Sequence, residues 1–138
     1  SNIFSIDREG GTFEEKLRRK IEAHFEILKK NPKIPFLVIN EITTNPERIA
    51  SLRDSIGELP LSVYATFEQD LQKEIAQGRV RETNALDLMF SALSLNLATF
   101  LVRPVLQNIL GLTDEAMDGF LEHRKEENVK IILQSLKP

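Results

Sequence analysis

The sequence predicts an all-α protein: an antiparallel bundle of four long helices with short helices between them. Apolar residues recur at helical spacing along most of the chain, and no stretch alternates with period two for long enough to form a strand. The 138 residues match one domain, and a content of 41% hydrophobic and 28% charged residues favours a globular protein over disorder. We expect a lead segment over residues 1–11 and one helical domain over residues 12–138.

Start and stop signals divide the chain into helices. The predicted helices cover about residues 12–30, 33–43, 46–57, 60–77, 83–102, 105–110 and 113–136. Thr12 and Glu15 form a capping box at the start of the first helix. Asn31 and Pro32 end that helix, because proline disfavours helical backbone in the residue before it.

The second helix lies in the stretch "NPKIPFLVINEI", residues 31–42. On a helical wheel its apolar residues cover most of the circumference, and Asn40 and Glu41 fall on the remaining arc with Leu37 between them. We therefore expect a helix that is packed on two sides and exposes only a narrow polar edge.

Proline, glycine and threonine mark the later helices. Pro46 and Pro60 suit the first turns of the third and fourth helices, and Gly78 stops the fourth. Pro104 kinks or ends the fifth helix, and Thr113 caps the last one.

The helix over 83–102 is apolar on almost every side. Its broad, bulky face consists of Leu86, Met89, Phe90, Leu93, Leu97, Phe100 and Leu101. Its opposite face carries the small or polar residues Asp87, Ser91, Ser94 and Ala98. Small residues let two helices approach closely, and a helix apolar on both faces needs a cover on both. We therefore expect a second copy of the chain against this helix.

The last helix carries an apolar stripe interrupted by Arg124 and Asn128. Arginine in such a stripe is typical of subunit interfaces, although an arginine that snorkels to water from an internal bundle face gives the same pattern. We predict a homodimer whose interface contains Asp87, Ser91, Ser94, Ala98, Met117, Phe120, Leu121, Arg124, Asn128 and Ile131. We also hypothesise that Asp87 faces Arg124 within it.

Composition and motifs exclude several functions. There is no cysteine, there are two histidines, and no zinc motif or glycine-rich phosphate loop occurs, so we expect no enzyme activity, no metal and no cofactor. A formal net charge of −3 argues against nucleic-acid binding by this segment alone. The most apolar window, 85–102, contains Asp87 and Asn96, and we expect a buried helix rather than a membrane span. No signal peptide is visible, and we expect a cytoplasmic protein.

Polar and aromatic groups on apolar stripes predict a small-molecule pocket. Its predicted lining is His24, Phe25, Phe36, Tyr64, Phe67, Met89, Asn96 and Phe100. A mostly apolar cavity with a few polar groups is typical of ligand sites. Each of these residues alone is more typical of an ordinary core.

Several stretches resemble the C-terminal region of TetR/AcrR-family transcriptional regulators. They are the "NP" that ends the first helix, "IPFLVINEI", "AQGRVRETNALD" and the closing "FLEHRKEENVKIILQSLKP". The resemblance covers about residues 12–138 and implies an upstream helix-turn-helix domain that this chain lacks, through which alone operator DNA would be bound. It also implies a four-helix dimer interface built from 83–102 and 113–136 of each copy.

The resemblance further implies an effector pocket between the helices over 12–30, 60–77 and 83–102. The lining of that pocket varies across the family, so no ligand contact carries over to this chain. In such regulators the short helix lies between the pocket and the DNA-binding domain. Asn40 and Glu41 are therefore candidates for signal transmission.

We expect the chain to be the ligand-sensing and dimerisation domain of a transcriptional repressor that responds to a small hydrophobic or amphipathic effector. Two alternatives stay open, a helical adaptor that binds a partner protein and a carrier of a lipid or other hydrophobe with no DNA role. The coding sequence upstream of residue 1 separates the first function from both alternatives.

Overall fold

A computed structural model describes residues 10–48 and 59–138, with the backbone alone for Leu59 and Pro60. The regular structure in this part of the chain is entirely helical. Its helices are α1 (Phe13–Lys30), α2 (Ile34–Thr44), α3 (Leu59–Ala76), α4 (Ala85–Leu101), α5 (Arg103–Asn108) and α6 (Asp114–Ser135). The all-α prediction is confirmed, and these boundaries lie within two residues of the predicted ones. The predicted helix over 46–57 falls outside the described residues beyond Arg48.

The predicted caps hold the helix ends. Thr12 Oγ1 accepts a hydrogen bond from Glu15 N at 3.1 Å, and Thr113 Oγ1 accepts one from Ala116 N at 3.1 Å. Gly78 has a φ of +76°, a left-handed conformation that glycine adopts without strain, and it ends α3 as predicted.

Helix α4 lies at the centre of the fold, because α1, α2, α3, α5 and α6 all pack against it. Residues from α1, α3, α4 and α6 form a large apolar cluster that includes Leu17, Leu71 and Ile132. A second cluster at the other end of α1 contains Phe25, Phe100 and Met117. The side of α4 that faces these clusters consists of Ala85, Leu88, Ala92, Asn96, Thr99 and Phe100.

The other side of α4 is exposed, although most of it is apolar. We define the free side of α4 as Leu86, Asp87, Phe90, Ser91, Leu93, Ser94, Leu97 and Ala98. Leu86 is 66% exposed, Phe90 is 72% exposed and Leu93 is 43% exposed. The free side combines most of the predicted bulky face with the predicted small face, whereas the buried side lies largely between them.

The expectation that α2 is packed on two sides was wrong. Its large apolar residues are between 39% and 62% exposed, namely Ile34, Phe36, Leu37, Val38, Ile39 and Ile42. Pro35 is its one buried residue. The helix contacts α4 but has no described element on its outer side, so its wide apolar surface is left open.

Candidate ligand and dimer sites

A hydrogen-bonded polar chain crosses the core between α1, α4 and α6. Asn128 donates from Nδ2 to Asn96 Oδ1 at 3.0 Å and to Thr99 Oγ1 at 3.3 Å. Arg124 Nε donates to Asn128 Oδ1 at 2.7 Å. Asn96 Nδ2 lies 3.0 Å from the Nδ1 atom of His24. Because Asn96 and Asn128 are at most 1% exposed, these bonds replace water that the two amides lose on folding.

His24 stands at the α1 end of this chain and is partly buried. Burial lowers the pKa of its imidazole below the ordinary value of 6.5. Asn96 Nδ2 also donates to the backbone oxygen of Ile21 at 3.0 Å, so one amide binds both a side chain and the backbone of α1. The chain therefore fastens α1 to the α4–α6 pair.

The predicted pocket residues fall into three groups. His24 and Asn96 are hydrogen-bonded partners, and the rings of Phe25 and Phe100 meet beside them with centroids 4.9 Å apart. Tyr64 and Phe67 belong to the other apolar cluster, where Phe67 stacks on Phe13. The remaining two, Phe36 and Met89, are exposed.

A described cavity lies elsewhere, at the end of the bundle formed by the start of α1, the end of α6 and part of α3. It has a volume of about 620 Å³. Its lining is Gly11, Thr12, Phe13, Glu14, Lys16, Asp70, Lys73, Glu74, Arg79, Val80, Leu133, Leu136 and Lys137, which includes none of the predicted pocket residues. Its apolar floor and charged rim had no signal in the sequence, since the three segments meet only in the fold.

The predicted dimer residues divide into exposed and enclosed ones. Asp87, Ser91, Ala98 and Ile131 are exposed, and Ser94, Phe120 and Arg124 are partly so. Met117, Leu121 and Asn128 are at most 1% exposed and have no surface left for a partner, so we remove them from the interface. They lie about 20° to 60° around α6 from Arg124, on the side of the helix that faces the core.

Asp87 and Arg124 have separate partners within the chain. Asn84 Nδ2 donates to Asp87 Oδ2 at 3.0 Å at the start of α4, whereas Arg124 binds Asn128. No other described residue bonds the terminal Nη atoms of Arg124. Their pairing across two copies stays a hypothesis.

The candidate transmission residues lie near the end of α2. Asn40 is exposed, and Glu41 Oε1 pairs with Arg48 Nη1 at 3.1 Å. Glu41 Oε2 is shielded from water and has no hydrogen-bond partner among the described residues. A carboxylate oxygen in that state is costly to keep, so Glu41 is a natural point for a further contact.

Thr99 is the member of the polar chain that the sequence reading missed. It lies three residues after Asn96, which places both on one side of a helix, and that spacing was the available signal. No cluster of acidic or histidine side chains in the described part of the chain is suited to hold a metal ion.

Comparison of the chain with protein-family models, with curated proteins and with solved structures finds no match. By length and composition alone, the stretch Ala85–Asn108 could cross a membrane, with a mean hydropathy of 1.7 and a third of that window buried. A core helix of a soluble protein passes the same test, so the expected absence of membrane contact stays a prediction.

Proposed function

We propose that the chain is the ligand-sensing and dimerisation domain of a TetR-like transcriptional regulator, a repressor whose helix-turn-helix domain lies upstream of residue 1. The observation that carries the proposal is the free side of α4, which is apolar and exposed on the most central helix of the fold. The resemblance of the helix order to such regulators adds the DNA-binding role.

The free side of α4 has the spacing of a helix–helix contact. Leu86, Phe90, Leu93 and Leu97 follow one another at intervals of four, three and four residues, as in two helices packed along a seam. Asp87, Ser91, Ser94 and Ala98 each follow one of them and let a second backbone approach closely.

The exposed apolar area on α4 and just after it is close to what a dimer needs. Sixteen large hydrophobic side chains are exposed in the described residues; six belong to α2, and eight belong to α4 and the segment after it. At roughly half exposure each, those eight leave on the order of 700 Å² of apolar surface. A stable interface needs about 800 Å² from each partner. A two-fold axis would bring the same surface of a second copy against it.

The proposed effector would bind in the core between α1 and α4. The Phe25–Phe100 contact and the Asn96–Ile21 bond fill the region where the resemblance expects an effector. A small hydrophobic or amphipathic effector would have to part α1 from α4 in order to enter. Its binding would therefore favour a different arrangement of the helices and shift the dimer toward that conformation. Two DNA-binding heads must reach half-sites about one helical turn apart, so a change in their spacing changes operator affinity.

Helix α2 would hold the upstream DNA-binding domain through its open apolar side. Glu41→Ala in the longer protein is then expected to weaken the effect of the ligand on DNA binding more than it weakens ligand binding itself. Glu47→Ala, at an exposed position just beyond α2, is the matched control. Equal losses of the two activities in Glu41→Ala, or none, would remove Asn40 and Glu41 from the transmission path.

The same open side of α2 favours one alternative function, a helical adaptor that binds a partner protein without any DNA role. Its six exposed apolar residues form a patch of the kind that marks protein interaction sites. A carrier of a small hydrophobe is the other alternative, and native mass spectrometry of the purified chain would reveal such a molecule.

The decisive experiment is to read the coding sequence upstream of residue 1 and to assay the longer protein for DNA binding. We expect a helix-turn-helix domain and binding to a pseudo-palindromic site. An upstream segment without that motif, or a longer protein that binds no DNA, would overturn the regulator proposal and leave the adaptor and the carrier.

A further inference from the structure

The hydrogen bonds of the polar chain all run in one direction, from donor to acceptor. The groups at its two ends, Arg124 and the Ile21 oxygen, each allow only one orientation of the amide beside them. At the α6 end, Arg124 Nε is a donor, and an arginine side chain has no acceptor. Asn128 must therefore turn its oxygen toward Arg124 and its NH₂ group toward Asn96. At the α1 end, the backbone oxygen of Ile21 is an acceptor, so Asn96 must turn its NH₂ group toward α1.

This direction determines the protonation of His24. Asn96 Nδ2 is a donor, so the Nδ1 atom 3.0 Å away must accept. The single ring proton of the neutral imidazole is then on Nε2. Each amide in the chain is satisfied on both its oxygen and its nitrogen, which makes the arrangement stable as it stands.

We propose that His24 is an acid-sensitive latch that fastens α1 to α4 and α6. A proton added to Nδ1 would face the NH₂ group of Asn96, donor against donor. Rotation of the Asn96 amide would relieve that clash only by turning its oxygen toward the Ile21 oxygen and its nitrogen toward Asn128. Asn128 would then have to rotate and point its own NH₂ group at Arg124. The conflict therefore stays within the hydrogen-bonded network, and protonation must break the Asn96–His24 bond, one of the two that join Asn96 to α1.

Charged groups on the packed helices do not offer an alternative cause. The charged residues on the helices around His24 include Lys20, Glu22 and Glu26 on α1, Glu41 on α2, Asp87 on α4, and Glu122, Arg124 and Lys125 on α6. Lys125 is paired with Glu26 at 3.0 Å, and Glu41 is paired with Arg48. Burial accounts for the lowered pKa of His24 without a contribution from any of them.

The direction of the effect on stability follows from linkage. Burial makes the imidazole harder to protonate in the folded protein than in the unfolded chain, where its pKa has the ordinary value of 6.5. The unfolded state therefore binds more protons below that pH, so the stabilising effect of the latch is complete above pH 6.5 and is lost progressively as the pH falls below it. This inference does not depend on the proposed regulatory function.

Urea unfolding of the purified protein at about pH 7.5 and about pH 5.5 tests the latch. The exposed His123, the second histidine of the sequence, offers a matched control. His24→Asn places an amide oxygen near the position of Nδ1 and cannot titrate. We expect the wild type and His123→Asn to lose a few tenths of a molar in urea midpoint at the lower pH, roughly the effect of one titrating group. His24→Asn is expected to lose clearly less. An equal loss in all three proteins would overturn the proposal.

Nuclear magnetic resonance of the wild-type histidine rings tests the donor-to-acceptor direction of the polar chain without any substitution. We expect the His24 ring at about pH 7.5 to carry its proton on Nε2. A proton on Nδ1, or a doubly protonated ring at that pH, would contradict the proposal.

Substitutions at Arg124 test its role as a positioning residue. Arg124→Lys keeps a group that can only donate, and we expect the pKa of His24 to stay where it is. Arg124→Gln supplies a group that can also accept, so reversal of the hydrogen bonds would then leave a conflict at the Ile21 oxygen alone, and the pKa of His24 should rise in part. Lys130→Met removes an equal charge from an exposed position of α6 and serves as the control for charge alone. If Arg124→Gln leaves the pKa of His24 unchanged, or Lys130→Met raises it equally, Arg124 does not set the direction.

Discussion

The two sides of α4 reverse the usual relation between polarity and burial. Its buried side consists largely of small or polar residues such as Ala92, Asn96 and Thr99, whereas its free side presents Leu86 and Phe90 to solvent. The buried side fits α1 and α6 of the same chain through directed hydrogen bonds. The free side presents an apolar surface with helix-packing spacing, but it forms no hydrogen bond to another described helix. The contrast agrees with the proposal that one side serves the fold and the other serves association.

The difference between the two sides of α4 is tested most strongly at two leucines that lie two residues apart. Leu88 is 4% exposed and Leu86 is 66% exposed. We expect Leu88→Ala to lower the free energy of unfolding by about 3 kcal/mol, because it leaves a cavity in the core. Leu86→Ala should change it by less than about 0.5 kcal/mol in the dilute monomer. Urea unfolding at low protein concentration measures both, and equal losses would show that the two sides do not differ.

The polar part of the buried side is tested by Asn128→Ala. This change leaves Asn96 Oδ1 without its donor and Arg124 Nε without its acceptor, and we expect a loss of about 2 to 3 kcal/mol. Asn108→Ala, at an exposed position, is the control and should stay within about 0.5 kcal/mol. A small loss of unfolding free energy in Asn128→Ala would mean that water easily replaces the hydrogen bonds of Asn128.

The free side is tested by a charge placed on its seam. Phe90→Asp should weaken self-association by about 2 kcal/mol or more, roughly a thirtyfold change in Kd, because an apolar anchor would be replaced by a desolvated carboxylate. Leu37→Asp puts the same charge on the exposed side of α2 and should leave association nearly unchanged. Sedimentation at several concentrations measures both. An effect of Leu37→Asp as large as that of Phe90→Asp would move the interface to α2.

The smallest expected effect concerns the ion pairs that link α1 to α6. The Lys29 ammonium, at 3.0 Å, is the main cause of the lowered pKa of Glu122, and Lys125 adds to it. The stabilisation is therefore present above the ordinary pKa of 4.5 and is lost as the pH falls below it. Glu122 is 53% exposed, so Glu122→Gln should cost well under 1 kcal/mol near pH 7, about 0.3 kcal/mol after solvent screening. Glu126→Gln is the control in urea unfolding, and an equal loss there would remove the pair as the cause.

The sequence was sufficient for the helices but only partly sufficient for their faces. Proline, glycine and capping residues act locally, so the boundaries at Thr12, Gly78 and Thr113 followed from neighbouring residues alone. Burial depends on which helices meet. The sequence showed that α4 is apolar all round but not that Ala92 would face the core while Phe90 faces solvent.

The sequence predicted several residues of the candidate site but not the hydrogen bonds that join them. His24 and Asn96 were both singled out from their positions on apolar stripes, and the structure joins them by a hydrogen bond. Asn128 was assigned to a partner surface because a polar residue in an apolar stripe reads the same way at an interface and in a core. Its partners on α4, Asn96 and Thr99, are about 30 residues away in sequence, beyond the reach of any local pattern.

The most direct test of a dimerising α4 is the mass of the purified chain by size-exclusion chromatography with light scattering. At micromolar concentration we expect twice the chain mass of 15.7 kDa, falling toward 15.7 kDa in Phe90→Asp with the helical circular dichroism retained. A wild-type mass of 15.7 kDa at every concentration would contradict the assignment of the free side of α4 to a second copy.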